Sequence, residues 1–155
     1  MNWGQVSALA DVLGASAVFL SLIYLAFQIK DARRSFVASA QQQLGGDFSA
    51  FMATIWSDSE LFHLWNTAIS NPDKLNDEQR SRFGMMMFSM FSQFANVYEL
   101  SRIDAGFLER YGPIMDRMLS ASQVQGWWQR QAHTYAENSD FRHYINQRIA
   151  QLQGI

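Results

Sequence analysis

The stretch DVLGASAVFLSLIYLAFQIKDARR, Asp11 to Arg34, limits what this chain can fold into more than any other. From Val12 to Ile29 it runs eighteen residues without a charge. At about 1.5 Å of rise each, a helix of them spans roughly 27 Å, close to the ~30 Å hydrocarbon core of a bilayer. The preceding turn, Val6 to Ala10, makes up the difference. Trp3 on one side, and Tyr24, Lys30, Arg33 and Arg34 on the other, stand where interfacial anchors belong. The prediction is a single N-terminal transmembrane helix. A signal peptide is one rival, but it requires a basic region before the apolar run, and here the basic residues follow it. A buried core helix is the other, kept open by Ser7, Asp11, Ser16, Ser21 and Gln28.

Orientation follows from the flanks. Lys30, Arg33 and Arg34 lie after the run, whereas before it Asp11 offsets the α-amine, so the positive-inside rule places the N-terminus outside and the rest in the cytoplasm. The expected organisation is an anchor with a basic flank over residues 1–34 and a cytoplasmic helical domain over 35–155.

Small residues recur within the span at Ala10, Gly14, Ala17 and Ser21. Lipid offers no hydrophobic drive between helices, so close approach through small side chains is what lets them associate, and this stripe is the expected helix–helix interface. Asp11 is the sharper feature, since an ionisable group one turn inside a membrane ordinarily faces a partner, a pore or water. With Ser7 and Gln28 it forms a candidate polar ring. The alternative is that Asp11 sits at headgroup level and only caps.

Beyond Arg34 the 3.6-residue period persists through Phe36, Val37, Ala40, Leu44, Phe48, Phe51, Met52, Ile55 and Trp56. Gly45-Gly46 predicts an interruption, each glycine costing about 0.5–1 kcal/mol in a helix interior. SDSE (Ser57 to Glu60) reads as a capping box opening a short helix with Leu61, Phe62, Trp65, Ala68 and Ile69 on one face. NDEQ (Asn76 to Gln79) opens a longer helix that runs toward Asp104. Its middle carries no charge from Phe83 to Tyr98, which predicts enclosure on most sides. A second span is the poorer reading of those sixteen residues, given Ser89, Ser92, Gln93 and Asn96, and a methionine-lined binding groove is a further alternative. Gly112-Pro113 predicts a helix starting near Pro113 and ending near Ser120. Ser122 to Gln125 then caps a helix through GWWQRQAHTYAE, and Asn138, Ser139 and Asp140 start the last, with Phe141, Tyr144, Ile145, Ile149 and Leu152 inward. No strand pattern, repeat or low-complexity tract occurs. The expected fold is all-α, the N-terminal helix continuing into a bundle of about five helices.

Composition narrows function by exclusion. Twelve basic against fourteen acidic residues leave no field of the kind that captures nucleic acid. The absence of cysteine removes disulfides, thiolate metal sites and cysteine nucleophiles together. Glu60-Leu-Phe-His63 and Asp140-Phe-Arg-His143 have the E/D-x-x-H spacing with which bundle proteins hold two irons. Each acid, however, falls in a helix's first turn, where capping and the helix dipole already account for it, and only Glu99 stands on a long core helix. His133 has no serine in a strand–turn–helix elbow to work with, and no glycine-rich phosphate cradle is present. Trp127 and Trp128 point about 100° apart on a helix, so one is expected in the core and the other at an interface or groove. No cofactor, metal or catalytic residue is expected.

In layout, SALADVLGASAVFLSLIYLAFQIKDARR followed by a helical domain with WW and a late FRHYI resembles a group of small uncharacterised bacterial proteins. They share an N-terminal SLIYLA-x-QI-type span and a tryptophan followed by an aromatic-rich C-terminal helix. The resemblance implies anchoring in the bacterial inner membrane and no activity. The expected function is therefore a membrane-anchored, non-enzymatic helical module, a homo-oligomer or an accessory or scaffold subunit of a larger membrane complex, with the lipid bilayer as a partner. A homo-oligomeric pore lined by Asp11 is the alternative, and a di-metal helical-bundle enzyme stands third.

Overall fold

The computed structural model describes residues 2–136 and 139–154. Among them there is helix and no strand: α1 (Trp3–Ser57), α2 (Ser59–Ser70), α3 (Asp77–Ser101), α4 (Gly106–Leu119), α5 (Ser122–Gln131) and α6 (Asp140–Leu152), with short 3-10 turns at Pro72–Lys74 and Ala132–Thr134. The chain divides into two units, residues 1–40 and 41–155. The first consists of the apolar part of α1 and its basic flank, a boundary six residues later than the sequence suggests.

In the second unit α3 is the hub, packing on α2, α4, α5 and α6. That arrangement explains the uncharged run between Phe83 and Tyr98. Phe83, Met87, Met90, Phe91, Phe94 and Val97 are buried, the i, i+3/i+4/i+7 stripe of a helix covered by several neighbours. Enclosure is not complete, because Met85 and Phe88 are 71% and 53% exposed. The α3 N-terminus carries a true capping box: Gln79 N–H donates to Asn76 Oδ1 at 2.9 Å, and Asn76 N–H donates to Gln79 Oε1 at 3.0 Å.

Three local expectations are corrected. Gly45-Gly46 does not interrupt α1, which is helical through both. Leu44 and Ile55 on either side are buried, and Phe48 stacks on Phe94 and Tyr111 at centroid distances of 6.4 and 5.8 Å, so packing outweighs the local cost. Helix α4 starts at Gly106, not at Pro113, which lies inside it. The Asp104 carboxylate accepts from Gly106 N at 2.8 Å, and Phe107, Tyr111, Met115 and Leu119 are buried at every fourth position, enough to carry the helix across a proline. The cap of α2 is Asp58 rather than Ser57: its Oδ1 accepts from Glu60 and Leu61 N at 2.8 and 3.1 Å, while Ser57 closes α1.

Smaller shifts follow the same logic. The inner face of α2 is set by Leu64 and Ala68, leaving Phe62 exposed. Helix α5 begins after Ala121 with no side-chain cap and stops at Gln131, giving way to the 3-10 turn. In α6 the Ser139 Oγ accepts from Arg142 N at 3.2 Å, and Asn138 lies outside the described residues. Phe141, Ile145 and Ile149 point inward there, with Tyr144 half-buried and Leu152 exposed.

Candidate functional site, an exposed apolar helix face

From Asp11 to Phe36 every side chain of α1 is exposed. Eleven large apolar residues between Val12 and Ile29 are 40% to 65% exposed. They point in all directions around the axis, since successive residues turn by about 100°. No side of this segment is the covered face of an ordinary amphipathic helix. Full burial of such a side chain is worth about 1.5–3 kcal/mol, so the apolar surface left open represents about 10–20 kcal/mol, comparable with the entire stability of a domain. Among the described residues α1 carries the one stretch long and apolar enough to cross a membrane, and none of that window is buried.

The polar side chains in this stretch are mostly satisfied within the helix. Ser16 Oγ donates to Val12 O and Ser21 Oγ to Ala17 O, both at 2.8 Å, and Gln28 Nε2 donates to the Tyr24 hydroxyl at 3.0 Å. Internal satisfaction of this kind is what a hydroxyl or amide requires where water is absent. At the basic end Lys30, Arg33 and Arg34 are exposed, Arg34 lying 3.9 Å from Asp31. Trp3 is exposed at the other end.

Helical geometry groups the candidate residues. Gly14, Ala17 and Ser21 fall within an arc of about 60° and are all exposed. Ala10 shares that arc by register, its side chain lying outside the described residues. Ser7 and Asp11 are one turn apart on an adjoining arc. Gln28 is about 25 Å further along the axis and about 100° round from Asp11, so the three cannot form a single ring at one depth. What the four-residue stripe leaves out is its continuation: Ser7, Gly14, Ser21, Gln28 and Ser35 recur every seven residues, and Ala10, Ala17, Tyr24, Asp31 and Ala38 do the same three positions on. A seven-residue recurrence is the spacing at which one helix can face another in a left-handed pair.

The other candidates are accounted for by local partners. Glu60 meets Arg82 at 2.8 Å, which also holds Glu78 at 2.9 Å, tying α2 to α3. Asp140 and Glu99 flank Arg102 at 3.5 and 3.7 Å. His63 and His143 are exposed, His143 beside Tyr98, Tyr144 and Gln147. His133 places Nδ1 2.9 Å from Arg130 O, which calls for a proton on that nitrogen. Among the described residues no three His, Asp or Glu side chains gather as a metal site. Both tryptophans are buried, Trp128 within the core and Trp127 beside a groove. Phe91 stacks on Trp127 and Trp128 at 5.1 and 4.7 Å, and Trp128 Nε1 donates to Asn146 Oδ1 at 2.8 Å. Trp127 keeps one edge at a surface cleft.

Comparison with known protein families, curated proteins and solved structures finds no match.

Proposed function

We propose that the chain is a membrane-anchored, non-enzymatic helical module that self-associates or serves as an accessory or scaffold subunit of a membrane complex. Residues 12–29 lie in the bilayer, the N-terminus outside and the helical domain in the cytoplasm. The observation that carries this reading is the all-round exposure of eleven large apolar side chains on one uncharged stretch of helix. A core helix would be covered on at least one side, and a secretory signal would carry its basic residues before the apolar run rather than after it. Association is assigned to the seven-residue seam through Ala10, Gly14, Ala17 and Ser21, where the shortest side chains let two backbones approach.

Alkaline carbonate extraction of native membranes tests the anchor, and release of the protein into the supernatant defeats it. Light scattering of the purified chain in several mild non-ionic detergents tests the seam. The expected result is a particle larger than one protomer, reduced to the monomer in Gly14→Leu and Ala17→Leu and unchanged in Phe19→Ala on the opposite side. A solitary wild-type chain in every detergent, with no co-purifying protein, refutes the reading. Ion flux across liposomes that disappears in Asp11→Ala would move the assignment to a pore, because Ser7 and Asp11 share one face.

A further inference from the structure

The second unit has a cleft of about 630 Å3 between the 3-10 turn at Pro72–Lys74 and the surfaces of α3 and α5. It is of the size that small ligands occupy, and its lining is mostly polar, with Phe83 and Trp127 each presenting a small aromatic edge to it. Two arginines stand in its wall, Arg80 and Arg130. Arg80 is held in place by its Nε, which donates to Leu75 O at 3.0 Å, so both terminal nitrogens remain for another acceptor. Arg130 lies back along α5, its Nη1 3.4 Å from where a Cβ on residue 126 would stand, a position that Gly126 leaves empty.

No carboxylate of a described residue lies within ion-pairing distance of either guanidinium, whereas Arg82, Arg102 and Arg148 of the same unit each meet one. One carboxylate, Asp73, shares the wall, which leaves the cleft with a net positive charge. Gly84 completes it: a Cβ there would sit 3.7 Å from Trp127 Nε1, so the missing side chain keeps the indole N–H edge open to the cleft. Two cations, one of them tethered through Arg80 Nε, with an indole donor and two aromatic edges in one concavity are complementary to a molecule with a negative head and an apolar group.

We propose that this cleft binds an organic anion, a carboxylate or phosphate carried on an apolar group, with Arg80 and Arg130 engaging the anion and Phe83 and Trp127 covering the apolar part. The inference is independent of the membrane reading, since every residue in it belongs to the second unit. The anion can be a soluble metabolite or a lipid-derived acid, and the probes separate the two.

Full-length protein in a non-ionic detergent is titrated with phenylacetate, phenyl phosphate and oleate, and with neutral phenethyl alcohol, using calorimetry and tryptophan fluorescence. The expected result is saturable binding of at least one anion and none of the alcohol. Arg80→Gln and Arg130→Gln each weaken it roughly ten- to hundredfold, the worth of a charge-assisted hydrogen bond. Gly84→Leu, which fills the cleft and keeps both charges, abolishes it. Binding of oleate alone assigns the lipid source, and binding of either aryl anion the soluble one. Far-UV circular dichroism confirms that each variant is folded. The proposal is overturned if no anion saturates below about 10 mM, a level weaker than any useful site. It is equally overturned if the arginine variants or Gly84→Leu bind as the wild type does, or if the alcohol competes equally.

Discussion

Replacing Phe91 by alanine removes the ring around which the second unit is assembled. Phe91 has no exposed surface, stacks on Trp127 and Trp128, and meets Phe94 edge-on at 5.6 Å. Deleting a buried phenylalanine costs about 3–5 kcal/mol, the higher values belonging to sites that cannot collapse. Collapse is hindered here, because the walls of the hole are indole rings, and one of them is fixed by the Trp128–Asn146 hydrogen bond. The expected loss is therefore about 4–5 kcal/mol, lowering the melting temperature by about 10 °C or more for a unit of this size. Urea unfolding of the full chain in non-ionic micelles measures it, since the transition of the second unit is read by the fluorescence of Trp127 and Trp128. Near-UV circular dichroism should lose much of its indole signal at the same time. A loss under about 2 kcal/mol, or an unchanged near-UV spectrum, would falsify the assignment of Phe91 as the aromatic hub.

Gly46→Ala should raise stability by about 0.4–1 kcal/mol in the same assay, because residue 46 is helical, has nothing within 4 Å of a Cβ, and gains from a less flexible unfolded state. Asp58→Ala should cost about 1 kcal/mol by uncapping α2, seen as a lower urea midpoint at unchanged slope. Asp116→Ala should lose about 1–2 kcal/mol, since it leaves the Arg148 guanidinium without the carboxylate that joins α4 to α6 through contacts of 2.8 and 2.5 Å; an unchanged melting temperature would show that pair to be idle. Burial raises the pKa of Tyr135 and Tyr144 above the ordinary phenol value of 10.0, Ser92 opposing it at Tyr135 and Arg148 opposing it at Tyr144. The folded state thus holds those protons longer than the unfolded one. This contribution is complete below pH 10 and is lost as pH rises through the folded values, so unfolding should become easier above about pH 10. Tyr135→Phe should flatten part of that decline. It should not destabilise the protein at neutral pH, because the buried hydroxyl beside Ser92 makes no well-formed hydrogen bond, the Ser92 hydroxyl itself donating to Phe88 O at 2.9 Å.

Much of this molecule is written in single stretches of chain. The charge-free run after Asp11, the Asn76–Gln79 capping box and the apolar period of α3 are local patterns, and local patterns decide helix type, approximate extent and which helix has no polar side. The recurrence of small residues along α1 is legible in the same way, as a seven-residue spacing needing no knowledge of neighbours. What could not be read locally are the places where distant residues outweigh local preference. Pro113 and Gly45-Gly46 signal helix ends on their own, and the burial of Tyr111, Met115, Leu44 and Ile55 carries the helices through them. The burial of both Trp127 and Trp128 required Phe91 from α3 and Asn146 from α6. The cleft is of the same kind, since Arg80 and Gly84 stand one turn apart on α3 but are joined by Trp127 and Arg130 only because α3 and α5 pack together. Sequence alone determined the helices and the greasy one among them, because backbone propensity and apolar periodicity act over a few residues. Tertiary structure decided where helices ignore a breaker and which side chains converge, because those outcomes depend on burial energies supplied by residues far apart in the chain.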